Sequence, residues 1–262
     1  MSDRNFGIGG DGVILICSSD VAVCKMRIFN LDGSEAQMCG NGIRCVAKYI
    51  YEKDLLKDGK YEIRNMGKQT FIKFDIETMC GIKNVKLKVE NKIAKLIEVK
   101  MGEPIFKAET IPVILKEGDS EESIILRYKE KEFEFCCVSM GNPHAVCIIK
   151  AISDLEFRKY AEVFERDGHF PERSNIEFVK VLDRKNISLK VWERGSGETL
   201  ACGTGACAAA IVCMKKGFVD NEVNVNLKGG KLRIRWDKID GNVYLIGGAE
   251  FVFDGVYKLL DV

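Results

Sequence analysis

The chain has 262 residues, with 40 Lys and Arg against 39 Asp and Glu, a formal net charge of +1 and 46% hydrophobic residues. A chain this long buries a sizeable core as one large domain or two medium ones, and its balanced charge offers no polyanion-binding face, so nucleic acid is excluded as a partner. The opening MSDRNFGIGGDG is polar and glycine-rich, unlike a signal peptide, and the longest apolar runs, such as 206–214, are far too short to span a bilayer, so a membrane is excluded and a soluble, cytoplasmic protein is expected.

Along the chain, residues 7–12 (GIGGDG) match the dinucleotide fingerprint G-x-G-x-x-G. That motif needs a strand before it and a helix after it. Here only six residues precede it and an apolar, strand-like run (13–17) follows, so it is rejected as a Rossmann loop. Strands are predicted at 12–17 and 23–29, then a helix at 40–53 whose stripe is Ile43, Val46, Ala47, Ile50 and Tyr51. Four further strands follow at 61–64, 70–76, 85–89 and 93–99, and MGEP (101–104) reads as a hinge between halves. The second half carries strands at 123–126, 133–138 and 145–149, a helix at 155–164, and strands at 176–182 and 187–192. A helix at 203–216 comes next. Its stretch 206–214 is apolar all round, as in a helix wrapped by protein on every side. Lys215, Lys216 and Gly217 signal its end. Strands at 223–227, 232–236 and 243–247 precede a last one at about 249–260, expected to return to the first half.

Eleven cysteines is a high and odd number. Without an export signal they read as reduced thiols. No C-x-x-C pair occurs and only His144 and His169 are present, so a zinc site is not expected. Cys17, Cys24, Cys147 and Cys213 sit among apolar neighbours and read as small buried hydrophobes.

Two cysteines differ from the rest. QMCGNGIRCVAKYIYEKD and TLACGTGACAAAIVCMKKG each place a cysteine, Cys39 or Cys202, ahead of Gly-x-Gly and a helical run. A helix N-terminus offers unpaired N–H groups and partial positive charge, which eases thiol ionisation and holds a carboxylate. The glycines let the backbone approach a ligand. For one such site a packing cysteine at a tight turn is an equal alternative; two matched sites favour function. Two thiols from two similar halves suit an acid and a base on opposite faces of one carbon, inverting a stereocentre.

Together RIFNLDGSEAQMCGNGIRC, SMGNPHAV, FPERSNIEF and ERGSGETLACGTGACAAA resemble diaminopimelate epimerase, in order over nearly the whole chain. The C-G-x-G pieces alone also fit the wider superfamily, including proline racemase. The resemblance implies an α/β fold of two pseudo-symmetric domains, 1–104 with 248–262 and 105–247, each a mixed sheet closed round a central helix. It implies cofactor-independent interconversion of LL- and meso-2,6-diaminopimelate, no metal, a small amino-acid substrate, and a homodimer. Carried over by motif, Cys39 and Cys202 are the acid–base pair. Gly40, Asn41, Gly203 and Thr204 cradle the carboxylate, and Asn30, Asn142, Asn175, Glu193 and Arg194 contact substrate. His144 and Glu193 tune the thiols.

The chain departs from this pattern at its start. Family members open with a strand and helix carrying G-x-G-N-D-F, whereas this chain resembles them only from Arg4 onward. The expectation is an unpaired sheet edge, one substrate-binding asparagine fewer, and weak activity. Three alternatives stand: another cofactor-independent racemase on the same architecture, a thiol redox protein, and a non-catalytic remnant.

Overall fold

A computed structural model describes residues 1–57, 59–67 and 69–258. In its first half lie β1 (Gly12–Cys17), β2 (Cys24–Asn30), β3 (Glu35–Ala36), α1 (Gly40–Glu52), β4 (Tyr61–Met66), β5 (Gln69–Thr78), β6 (Gly81–Glu90) and β7 (Ile93–Gly102). The second half holds β8 (Ile124–Tyr128), β9 (Lys131–Ser139), β10 (Pro143–Ile148), α2 (Asp154–Phe164), β11 (Asn175–Asp183) and β12 (Asn186–Glu193). It continues through β13 (Gly197–Glu198), α3 (Gly203–Lys215), β14 (Glu222–Leu227), β15 (Gly230–Trp236) and β16 (Val243–Gly247). Every strand expected between residues 12 and 247 is present, with bounds moved by up to a few residues. The sequence pattern missed the two-residue strands β3 and β13, which are too short to show alternation.

The strands form one mixed sheet in the order β1-β2-β5-β6-β7-β16-β15-β14-β12-β11-β10-β9-β8, with β3, β4 and β13 attached to β2, β5 and β12. Pairing of β7 with β16, from Gly102↔Val243 to Ile97↔Gly247, joins the halves. One unit occurs twice within this sheet. A strand (β2 or β12) ends in a tight return to a two-residue strand (β3 or β13), then a cysteine and a thirteen-residue helix, α1 or α3. A later strand pairs parallel to the first, β5 with β2 and β14 with β12.

Helix α1 is amphipathic and lays Ile43, Val46, Ala47 and Ile50 on β6 and β7. Helix α3 is buried from Gly203 to Met214, as its all-round apolar sequence demands, and its small residues let strands approach it closely. Both helices enter one continuous apolar core that spans the halves. A second core lies under α2, where Phe135, Phe157, Phe164 and Phe178 meet edge-on at 5.4–5.8 Å. A capping box, Ser153 with Glu156, starts α2.

The expected last strand is a correction. Residues 249–258 form no strand, and residues 259 and 260 lie outside the described residues. The segment packs on α1 instead. There the Phe251 ring lies 6.2 Å from Tyr49, and Lys53 Nζ donates to Asp254 at 2.9 Å.

Candidate active site

The two cysteine turns share one geometry. Cys39 (φ −140°, ψ 112°) and Cys202 (φ −117°, ψ 120°) are extended N-cap residues, where Ser or Asp would more usually stand. Each sulfur accepts from the backbone N–H three residues on, Gly42 at 3.3 Å and Gly205 at 3.4 Å. The preceding N–H groups, of Gly40, Asn41, Gly203 and Thr204, have no carbonyl four residues back in their own helices. Helix-start N–H groups of this kind can meet an anion.

The turns also abut. A Cβ on Gly40 would lie 3.3 Å from Gly203 Cα, and a Cβ on Gly203 would lie 3.1 Å from Gly40 Cα. Only glycine permits this approach. Asn41 Nδ2 crosses between the halves to donate to Ala201 O at 3.1 Å, one residue before Cys202. Arg44, buried on α1, donates to Gly40 O (2.9 Å), Asn41 Oδ1 (3.1 Å) and Gly248 O (3.2 Å), which fixes the first turn. The two cysteine-capped helix starts therefore abut at Gly40 and Gly203 and are tied together by Asn41.

The Cys202 thiol departs from the expected ease of ionisation. Cys202 is 5% exposed, and burial pushes its thiol well above the ordinary value of 9. The carboxylate of Glu193, and more weakly that of Glu177, acts in the same direction, against the Thr204 hydroxyl and the Gly205 N–H. At Cys202 desolvation outweighs the Thr204 hydroxyl and the Gly205 N–H, against the expectation of easier ionisation. Cys39 is half-buried. The cysteines read as packing residues behave so at Cys24, Cys147 and Cys213, whose thiols burial raises to about 11, 12 and 12. Cys17, read with them, is only half-buried.

Around Cys202 a hydrogen-bonded group assembles from separate strands. His144 on β10 has no exposure, and its Nε2 lies 2.9 Å from Asn142 Oδ1. Asn142 Nδ2 donates to Thr204 Oγ1 at 3.4 Å, and that oxygen lies 3.5 Å from Cys202 Sγ. Glu193 Oε1 accepts from Thr199 Oγ1 at 2.5 Å. Asn175 is buried, its oxygen accepting from Arg194 N (3.0 Å) and its amide donating to Pro143 O (2.7 Å), so it ties two loops together. Asn30 and Arg194 stand further out: Asn30 Nδ2 donates to Ser34 Oγ and Arg194 Nη1 to Glu172 O, both at 3.0 Å.

Sequence reasoning missed three charged residues here. Arg44 is the cation described above. Glu165 holds the 193–198 loop by accepting from Trp192 Nε1 and Gly195 N, both at 2.9 Å. Glu177 interrupts Asn175–Val179, five consecutive buried residues of β11, and meets His144 Nδ1 with Oε1 at 2.6 Å. A carboxyl in the middle of a strand covered on both faces was the signal available for it.

A family profile described as diaminopimelate epimerase matches residues 1–107 and 136–252. The chain is 46% identical over 255 residues to a diaminopimelate epimerase of Methanococcus maripaludis, covering 97% of this chain and 87% of that protein. It is 45% identical over 263 residues to one of Acetivibrio thermocellus, covering 99% and 88%. Among solved structures, a probable proline racemase from Agrobacterium radiobacter shares the fold with a TM-score of 0.66 at 13% identity, covering 97% of this chain and 76% of that one. A hydroxyproline epimerase from Agrobacterium vitis does so at 0.63 and 14%, covering 92% and 74%. No helix among the described residues is long and apolar enough to cross a membrane.

Proposed function

Because the chain belongs to the diaminopimelate epimerase family, its reaction is the interconversion of LL- and meso-2,6-diaminopimelate, and we propose that Cys39 and Cys202 carry it as an acid–base pair. The observation that carries this is the abutment of two cysteine-capped helix starts at Gly40 and Gly203. Their N–H groups, with those of Asn41 and Thr204, hold the carboxylate of the reacting centre. One thiolate takes the α-proton and becomes a thiol; the opposite thiol gives its proton to the other face and becomes the thiolate. Configuration inverts and no net proton is consumed. Each turnover leaves the pair in the opposite protonation state.

An amino-acid α-proton is weakly acidic, so the carbanion needs stabilisation. Charge that spreads onto the carboxylate meets two helix N-termini in a site from which water is largely expelled. Cys202, held as the thiol by burial, is the acid of the first turnover, and Cys39 is its base. Glu193 keeps Cys202 protonated until the carbanion forms, and His144 acts on it through Asn142 and Thr204. Asn175 serves by holding the backbone of Arg194, which with Asn30 meets the distal polar groups of the substrate. The lobes 1–104 with 248–262 and 105–247 close over the substrate, and the working unit is a cytoplasmic homodimer whose eleven free cysteines suit a reducing compartment.

A purified-protein assay with diaminopimelate, proline, histidine and lysine tests the substrate. Turnover of diaminopimelate alone is expected, with one deuterium at the inverted carbon when the reaction runs in deuterium oxide. Racemisation of proline, histidine or lysine in its place, or disulfide exchange with no racemisation, would contradict the reading.

A further inference from the structure

Glu177 lies mid-strand in β11 with no exposure, and the roles above do not use it. Its Oε1 is 2.6 Å from His144 Nδ1, whereas Oε2 has no hydrogen-bond partner among the described residues. A buried carboxyl costs free energy that an apolar side chain of the same size would not, so packing alone does not account for this residue. The group is instead the first member of an unbroken row. From Glu177 it passes to His144, from His144 Nε2 to Asn142 Oδ1, from Asn142 Nδ2 to Thr204 Oγ1, and from Thr204 to Cys202 Sγ.

The donors in this row have a direction. An amide oxygen only accepts, so His144 carries a proton on Nε2. Thr204 Oγ1 accepts from the Asn142 amide, and toward a Cys202 thiolate, which has no proton to give, its hydroxyl is the donor. A hydroxyl that donates to sulfur favours the thiolate. By itself an imidazole takes either tautomer, and the partner on Nδ1 decides. Glu177 is that partner. Burial raises the Glu177 carboxyl above its ordinary value, so that as a carboxylic acid it donates to Nδ1 and the Nε2 proton is kept. A Glu177 carboxylate, which disfavours the Cys202 thiolate, keeps that proton only by pairing with imidazolium.

We propose that Glu177 is a positioning residue for Cys202: it holds the proton on His144 Nε2 and so aims the Thr204 hydroxyl hydrogen at the Cys202 sulfur. This supports the thiolate in the half-cycle where Cys202 is the base, against the burial that otherwise disfavours it. The inference rests on Cys202 being one of the two acid–base thiols.

The test is a double-mutant cycle on epimerase turnover, with thermal unfolding recorded for every variant. Glu177→Leu removes the carboxyl group at similar volume, Glu177→Gln keeps a group able to donate to Nδ1, and Thr204→Val removes the last hydroxyl while keeping its backbone N–H. Losing one hydrogen bond to a charged sulfur predicts that E177L lowers kcat about ten- to a hundredfold, with KM changed less than about threefold. E177Q should restore kcat to within about threefold of the parent, and E177L should add nothing to T204V, because both cut the same row. Multiplying losses, an E177Q as impaired as E177L, or an E177L with parental kcat would each overturn the proposal. If E177L lacks a folding transition, Glu177→Met takes its place in the cycle. Cys202→Ala separates the two readings. A parental rate in C202A refutes the acid–base assignment itself and the role of Glu177 with it. An inactive C202A beside multiplying losses in the cycle refutes the role of Glu177 alone.

Discussion

Replacing Gly203 with alanine tests how closely the two cysteine turns must approach. The new Cβ would lie 3.1 Å from both Gly40 Cα and Leu245 Cδ1, and 3.4 Å from Gly40 C. Carbon atoms pack best at about 3.5–4.0 Å, so the contact is too close by several tenths of an ångström. Leu245 can turn aside, but Gly40 is backbone held by Arg44, and the two turns must move apart. Overpacking of this kind costs about 1–3 kcal/mol, offset by the roughly 0.5–1 kcal/mol by which alanine is favoured over glycine in a helix. The net loss of about 0–2.5 kcal/mol lowers the melting temperature by at most several degrees in a protein of this size. Turnover falls further, about tenfold or more, because both thiols and the anion cradle shift relative to the reacting carbon. Calorimetry and initial rates on LL-diaminopimelate measure the two effects. Gly40→Ala, whose Cβ would meet Gly203 Cα and Leu245 Cδ1 at 3.3 Å, should be milder in both. A G203A protein with parental turnover would refute the idea that this approach sets the catalytic geometry.

Stability should fall on the alkaline side. Burial raises the thiols of Cys24 to about 11 and of Cys147, Cys207 and Cys213 to about 12, so above pH ~8.5 the unfolded chain releases protons that the folded chain keeps. Each such thiol then removes up to about 1.4 kcal/mol per pH unit until its folded-state value is reached. Urea titrations from neutral pH upward should show this slope, and Cys207→Ala with Cys213→Ala should flatten it; an unchanged slope would contradict the burial argument. Iodoacetamide near neutral pH should label Cys39 ahead of Cys202, because Cys202 is buried and held as the thiol, and peptide mapping that finds the reverse order would reverse the assignment of first base and first acid. Arg44→Lys should cost about 1.5–3 kcal/mol in chemical denaturation, since one ammonium cannot span the three acceptors the guanidinium reaches. A lysine variant of parental stability would show that those bonds contribute little.

Much of this architecture was legible in the residues because most strands alternate cleanly and the three helices carry distinct signatures. The all-apolar stretch 206–214 foretold a helix covered on every side, and α3 is that helix. The paired Cys-Gly-x-Gly motif located both N-caps because a thiol and two glycines at a helix start is a local feature. Three things were not legible. Strand propensity in FVFDGVY misled, because Phe251 and Asp254 are held against Tyr49 and Lys53 at the end of α1 and not beside a strand. The raised Cys202 thiol depends on burial by strands distant in sequence, which no window around Cys202 contains. Glu177, Arg44 and Glu165 act through partners 33, 204 and 30 residues away, so their pairings emerge only from the folded topology.

The most direct measurement of the central claim is turnover of LL-diaminopimelate by Cys39→Ala and Cys202→Ala, followed in deuterium oxide. If the two thiols serve opposite faces of one carbon, each variant loses epimerisation, by about a thousandfold or more for removal of a catalytic group that acts as part of a unit. Folding should survive in both, because each cap contributes only about 1 kcal/mol. Epimerisation at the parental rate by either folded variant, with deuterium still entering the inverted carbon, would contradict the two-thiol mechanism.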